Sequence, residues 1–478
     1  MTTSTETISS LGPASCEAVG VEIAPASGWR RLIGDCILVS GVGLVCQALG
    51  TITAVGLRMV LGPAQMGVWQ TVKMLLGYVN YANLGTSKGA ARQWAIARGQ
   101  GNPQSAESAL HVAFTVNTLS SLGYAGLVLL GGLGMVWAGG GTSAEWLGGL
   151  CLAAFLAGLQ RHVSFHITLL RTAQQFGTTS RLALVEAGLT LLLAVGAAWQ
   201  FGLWGLYGAT ILVMLVAWAY VEHYRAVRLQ WVWDGREARR LVQIGMPILL
   251  SGLIHGLLRS MDKWTILSLL PEGTAQLGCY SAAGMVFAAL EGLGNSIATV
   301  LLPRYGEKYG QVGRRPEVAR LAARCSQLQA FLVGLAALAA WWIGRPVLAW
   351  LLPEYRSGLE ALRWLLPGVM ALCLALPASQ YLAAVELEKR ALVGAVGGMV
   401  LVGGACITAA LYWAQLEAVA FAASLGHLGY FLLLVFLSYW QELNWPERLR
   451  WISVHALIFA AVLLVGGNPV GIGAWFAR

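Results

Sequence analysis

Charge is what this sequence has least of. Asp, Glu, Lys and Arg together make up 11% of its 478 residues, while 57% are hydrophobic and the mean hydropathy is +0.66. A soluble domain carries about 25% charged residues, so a soluble enzyme, a disordered chain and a nucleic-acid-binding domain are excluded. Polar–apolar alternation is also lacking, and the continuous apolar stretches exclude an outer-membrane barrel. There is no Gly-x-x-x-x-Gly-Lys-Ser/Thr loop for nucleotide phosphates. The eight cysteines are Cys16, Cys36, Cys46, Cys151, Cys279, Cys325, Cys373 and Cys406. All but Cys16 fall inside apolar spans, with no close pair, and they read as small buried apolar side chains. No cofactor and no metal is expected.

Long apolar runs dominate instead. They predict an all-α polytopic membrane protein, with spans at about 32–56, 66–86, 106–138, 145–170, 181–199 and 203–224. A basic connector follows, then spans at about 241–270, 277–302, 321–344, 359–385, 391–413 and 417–440, and a shorter thirteenth over 451–466. Each is close to the roughly 20 residues needed to cross a bilayer. The expected organisation is a disordered cytoplasmic tail (1–28), an N-terminal lobe of six helices (29–228), a C-terminal lobe of six (229–440) and a C-terminal extension (441–478). The tail is rich in Ser, Thr, Ala and Gly and has no Lys or Arg, unlike the basic start of a secretory signal.

The net charge of +9 is distributed by side. Even-numbered connectors carry Lys88, Arg92 and Arg98; Arg171 and Arg181; Arg225, Arg228, Arg236, Arg239 and Arg240; Arg304, Lys308, Arg314, Arg315, Arg320 and Arg324; Lys389 and Arg390; and Arg448 and Arg450. Arg30 and Arg31 precede the first span on the same side, whereas the opposite side holds Arg58, Arg345, Arg356, Arg363 and the terminal Arg478. Positive residues concentrate on the cytoplasmic side of membrane proteins, so the N-terminus is expected in the cytoplasm.

A short internal repeat supports two lobes. Ala64-Gln65-Met66-Gly67-Val68-Trp69 follows the first span, and Ala275-Gln276-Leu277-Gly278-Cys279-Tyr280 follows the seventh. Six spans separate them, so both copies enter from the same side and the repeat is parallel.

Polar residues inside spans are costly and mark cavities or relays. The seventh span holds His255, Arg259, Asp262 and Lys263; a spacing of four places His255, Arg259 and Lys263 on one helical face. Asp262 can partly neutralise Arg259. The stripe reads as a cationic wall for an anionic headgroup, or else as a structural ion-pair cluster with Lys263 snorkelling outward. Lys73 shares a face of the second span with Gly77 and Asn80, and its alternative reading is again snorkelling to the interface. Lys73 and Lys263 each lie about seven residues from the outer edge of their helix, roughly 10 Å below the surface. Two or three such cations would replace the water lost by a pyrophosphate. Glu291, Asn295 and Thr299 form a stripe on the eighth span, and the repeat sets Glu291 against Asn80. Glu291 is a candidate for ion coupling, or a structural group paired to Arg259. In the fourth span, Arg161 is an auxiliary phosphate or sugar contact. His162 and His166 are spaced like a metal pair, but no third ligand is evident, and a polar cavity face is the preferred reading. Most of the 20 tryptophans read as interfacial belts; Trp69 and Trp264 flank the charged region and could stack on sugars.

The run Leu61-Gly62-Pro63-Ala64-Gln65-Met66-Gly67-Val68-Trp69, then Leu84-Gly85 and Arg92 leading to Ala97-Arg98-Gly99-Gln100-Gly101-Asn102, resembles the start of polysaccharide-repeat-unit flippases. Gly245-Met246-Pro247, Met261-Asp262-Lys263, Leu301-Leu302-Pro303-Arg304 and Leu351-Leu352-Pro353-Glu354-Tyr355 are similar to later motifs of that family. It belongs to the multidrug/oligosaccharidyl-lipid/polysaccharide exporter superfamily, and the match covers roughly 30–440. The resemblance implies a V-shaped pair of six-helix lobes with a cationic central cavity. It also implies translocation of undecaprenyl-pyrophosphate-linked oligosaccharide, an O-antigen or exopolysaccharide repeat unit, across the bacterial inner membrane. Asp262-Lys263 matches an acidic–basic pair common in the family. Partners implied are the carrier lipid and membrane lipid, a polysaccharide polymerase, ligase or chain-length regulator, and a proton or sodium ion. The rival readings are a multidrug or small-molecule exporter of the same superfamily, which the cationic surplus disfavours, and a membrane glycan polymerase or ligase, which the short outer connectors disfavour. No catalytic residue is assigned.

Overall fold

The computed structural model describes residues 29–99, 107–137 and 143–466; the tail expected over 1–28 lies outside them. No strand occurs among the described residues. The first lobe begins with α1 (Trp29–Val60). The second crossing is split into α2 (Pro63–Tyr78) and α3 (Thr86–Gly99). Then follow α4 (Glu107–Trp137), α5 (Ala144–Thr172), α6 (Phe176–Leu189), a π turn, and α7 (Val195–His223). The second lobe comprises α8 (Gly235–Leu258), α9 (Met261–Leu269), α10 (Gly273–Val312), α11 (Arg315–Ala339), α12 (Arg345–Leu351), α13 (Arg356–Ala384), α14 (Glu388–Trp413) and α15 (Leu416–Leu437). The thirteenth segment is α16 (Trp445–Gly466), packed on α11, where Ser326 Oγ meets His455 Nε2 at 3.0 Å.

Nine helical stretches among the described residues are long and apolar enough to cross a membrane. One of them, Phe176–His223, runs to 48 residues and holds the fifth and sixth crossings together. The chain doubles back at Gly202 (φ 60°, ψ −140°), a conformation open to glycine alone. A Cβ on Gly205 would stand 2.0 Å from the Ala197 carbonyl oxygen, so the two arms touch backbone to backbone.

The second and seventh crossings are interrupted, where continuous spans were expected. Between α2 and α3, Leu84 (φ 52°) and Gly85 (φ 81°) are left-handed. Asn83 holds the turn: its Oδ1 accepts from Gly85 N (2.9 Å), and its carbonyl accepts from Thr86 Oγ1 (2.9 Å). Such satisfaction is what lets unwound backbone persist at membrane depth. The helix breaks for two residues at Arg259–Ser260, between α8 and α9, where Ser260 Oγ donates back to the Gly256 carbonyl (2.8 Å).

The lobes meet at two levels. On the side of the α1–α2 turn, the repeat motifs face each other. A Cβ on Gly67 would lie 1.8 Å from the Thr274 carbonyl oxygen, and one on Gly278 would lie 1.7 Å from that of Pro63. The contact is reciprocal, as a pseudo-twofold axis between the lobes requires. The Tyr355 hydroxyl donates to the Leu61 carbonyl beside it. On the opposite, basic side, Gly85 and Gly245 approach so closely that a Cβ on either would fall within 2.5 Å of the other's backbone. Tyr81 lies over Gly252 and Gly256 one level further in.

Candidate functional site

Between these two closures lies a cavity of about 520 Å³, walled by α1, α2, α9 and α10. Three cationic residues line it: Arg58 in the last turn of α1, Lys73 from α2 and Lys263 from α9. No Asp or Glu lines it. Lys73 is exposed to this space, and among the described residues neither Lys73 nor Lys263 makes an ion pair or side-chain hydrogen bond. Arg58 is 6% exposed and firmly held. Its Nε donates to Ser281 Oγ (3.2 Å), and its terminal nitrogens donate to the carbonyls of Ser281 (2.8 Å) and Ala54 (2.7 Å). It therefore ties α1 of one lobe to α10 of the other while contributing a fixed positive charge. Trp69, Gln70, Gln47, Thr51 and Tyr280 complete the polar and aromatic lining.

Asp262 fixes the start of the helix that carries Lys263. Buried in the first turn of α9, it accepts from the backbone N–H of Lys263 (2.8 Å) and from the Tyr280 hydroxyl (2.6 Å). An acidic side chain at a helix start is favoured by the helix dipole, and here it also locks α9 to α10. Its expected role of neutralising Arg259 is corrected: Arg259 pairs with Glu291 of α10.

The expected stripe of His255, Arg259 and Lys263 is also corrected, because the break at Arg259–Ser260 changes the helical phase. His255 turns into the second lobe, where its ring nitrogens meet Tyr430 Oη (3.0 Å) and the Ser251 carbonyl (2.8 Å). Arg259 and Glu291 form their own pair and do not line the cavity. Asn295 is exposed on α10, also outside it. Arg161 is buried in the first lobe, donating to Asn117 Oδ1 (2.8 and 3.0 Å), Ser87 Oγ (3.2 Å) and Asn80 Oδ1 (3.4 Å). The structure thus brings Lys73 to Lys263 and Asn80 to Arg161. The repeat-related positions Asn80 and Glu291 are each held by an arginine of their own lobe. Trp264 faces away from the charged cavity into an apolar groove between α2, α4, α5 and α9, and its Nε1 donates to Tyr78 Oη (3.1 Å).

Sequence reasoning assigned Arg58 to an outer loop and missed it. The signal was present: Gln47, Thr51 and Arg58 recur at four- and seven-residue steps on one face of α1. The expectation that His162 and His166 lack a third polar partner is overturned too, since Glu222 of α7 reaches both.

The fold is shared with solved transporters. An inward-facing multidrug resistance MATE family transporter of the MOP superfamily superposes with a TM-score of 0.66 at 16% identity, over 88% of this chain and 99% of its own. The outward-facing conformation of such a transporter gives 0.59 at 17% identity, over 88% and 96%. The lipid II flippase MurJ, in an inward closed conformation, gives 0.66 at 13% identity, over 90% and 98%. No curated protein matches the chain. These likenesses show a shared two-lobed fold, and the nine long apolar helical stretches among the described residues make this a multi-pass membrane protein. The profile of the family described as Polysaccharide biosynthesis protein matches residues 61–354, more than half of the sequence, and the chain belongs to that family.

Proposed function

We propose that this protein is a flippase that moves an undecaprenyl-pyrophosphate-linked oligosaccharide across the bacterial inner membrane by alternating access. The observation that carries this reading is the convergence of Lys73, Lys263 and Arg58 on one cavity between the lobes with no acidic residue in its lining. A pyrophosphate entering a membrane-embedded site loses its hydration, and only fixed cations and donors can replace it. Lys73 and Lys263 supply mobile ammonium groups from opposite lobes, and Arg58 sets the field behind them. Trp69 offers a ring for stacking on a sugar. The polyprenyl tail stays in lipid. The headgroup enters from the cytoplasmic leaflet, the lobes rock, and it leaves on the opposite side. To turn over, the site must hold the ligand with comparable strength in both states.

Glu291 is the candidate for linking the return step to a proton or sodium ion. It would do so by exchanging Arg259 for the ion, with the α8–α9 break as the moving part.

The test is transport of a fluorescent polyprenyl-pyrophosphate oligosaccharide in proteoliposomes. A charge-assisted contact contributes about 1.5–3 kcal/mol, or about 10- to 100-fold in affinity. Lys73→Ala with Lys263→Ala is expected to abolish measurable transport, while Lys→Arg at both positions retains a substantial part. Full transport by the double alanine variant at normal membrane abundance would overturn the reading. Transport of a lipophilic cation in place of the anionic lipid would favour the small-molecule exporter.

A further inference from the structure

His162 and His166 stand one turn apart on α5, and Glu222 in the last turn of α7 is packed against both. Glu222 Oε1 lies 2.7 Å from His162 Nε2 and 3.8 Å from His166 Nε2. One ligand atom from each of the three falls within 4.8 Å of the others. The imidazole rings are 4.7 Å apart between centroids. None of the three lines the interlobe cavity, and the transport cycle above does not use them.

A simple ion pair accounts for only part of this cluster. The second oxygen of Glu222 is taken by Arg225 at 2.7 Å, so the carboxylate already has its counter-charge. His166 is nonetheless 2% exposed, and its Nδ1 has no hydrogen-bond partner. Its Nε2 faces Glu222 at 3.8 Å, too far for a direct hydrogen bond and a separation that an intervening ion would bridge. Two imidazoles four residues apart on a helix, with a carboxylate from a neighbouring helix, are the donor set of borderline divalent metals. Zn²⁺ takes three such ligands and leaves a fourth position for water or another donor. The exposures suit that arrangement: His166 is closed off, while the His162 and Glu222 side chains are 23% and 27% exposed. Arg225 has two effects. It orients the carboxylate as an outer partner does, and its charge opposes a cation.

We propose that His162, His166 and Glu222 form a binding site for a zinc-type divalent transition metal at the basic end of the first lobe. The site lies where the chain leaves α7 for the second lobe. That connector is anchored beside it: Gln230 N donates to His111 Nδ1 (3.2 Å) and Val232 N to Thr115 Oγ1 (3.0 Å). Trp231 and His162 both pack edge-on to Phe114. A bound ion would hold α5, α7 and the root of the connector as one unit.

The experiment is Zn²⁺ titration of the purified, metal-stripped full-length protein against a competing chromogenic chelator. His166→Ala and Glu222→Gln are each expected to weaken binding by more than the about 10- to 100-fold that loss of an outer partner costs. The cysteines are the same in every variant, so differences report this cluster alone. Equal Zn²⁺ affinity in the wild type, His166→Ala and Glu222→Gln would overturn the site. If those two variants do not elute as folded protein, His162→Ala, at the part-exposed member of the cluster, decides: binding equal to the wild type overturns the proposal, and weakened binding upholds it.

Discussion

Three residues carry the charge of the cavity, and they were not equally visible. Lys73 and Lys263 stand out because an ammonium group in an apolar run has no inexpensive explanation. Arg58 did not, because it lies near the end of its span, where an arginine reads as a loop residue; only the length of α1, to Val60, puts it inside. Its contribution can be separated from that of the lysines. Arg58→Met removes a guanidinium with three hydrogen bonds to protein oxygens and with them the tie between α1 and α10. It is expected to lower the unfolding temperature and cut transport at least tenfold. Arg58→Lys keeps the charge but loses the fork, so transport should recover in part while the unfolding temperature stays low. Thermal unfolding and proteoliposome transport of both variants check this. Glu291→Gln tests ion coupling in the same assay. It frees Arg259 of its charged partner, and transport should lose its dependence on an imposed ion gradient. A dependence left intact would remove Glu291 from that role.

At the scale of elements, hydropathy located the crossings but not their interruptions. The second crossing was expected to stop at 86, since α3 carries Lys88, Arg92 and Arg98 and no longer reads as apolar. It continues as helix to Gly99 because Asn83, Leu84 and Gly85 redirect the chain. The seventh crossing was read with one unbroken period, which placed His255, Arg259 and Lys263 on a common face. The break at Arg259–Ser260 sends them in three directions, and no composition signal marks it. The 48-residue run over α6 and α7 was expected as two spans, 181–199 and 203–224, and the reversal at Gly202 falls between them. Gly202→Ala forces a side chain into a conformation that costs about 1–3 kcal/mol, so the variant should unfold at a lower temperature. Gly208→Ala is the control. It has nothing within 4 Å of a new Cβ, and helix propensity favours alanine by about 0.5–1 kcal/mol. An equal effect of the two substitutions would count against the reversal at Gly202.

At the scale of the whole molecule, the six-residue repeat was the most informative short feature, and its meaning became clear only in three dimensions. It marks the place where the halves touch, with Gly67 on Thr274 and Gly278 on Pro63. The Gly85–Gly245 contact closes the other side, and nothing in the linear sequence announced it, because its partners are unrelated by the repeat. These two contacts make opposite predictions. Gly67→Ala must push the lobes apart on the side of the α1–α2 turn, and Gly245→Ala must do so on the basic side. In a chain freed of its own cysteines and carrying Thr51→Cys in the cavity, the first variant should raise labelling by an impermeant thiol reagent applied from the turn side. The second should raise it from the basic side. The same direction of change in both would exclude two independent closures.

The meeting of the two repeat motifs has a mechanical corollary. A point where two levers already touch backbone to backbone is a natural fulcrum, and displacement grows with distance from it. Lys73 stands fewer than two turns along α2 from Gly67, so tilting about that point would change its separation from Lys263 little, while the far tips of the helices swing widely. A grip built close to its own pivot could pass a cargo from one side to the other without tightening or letting go.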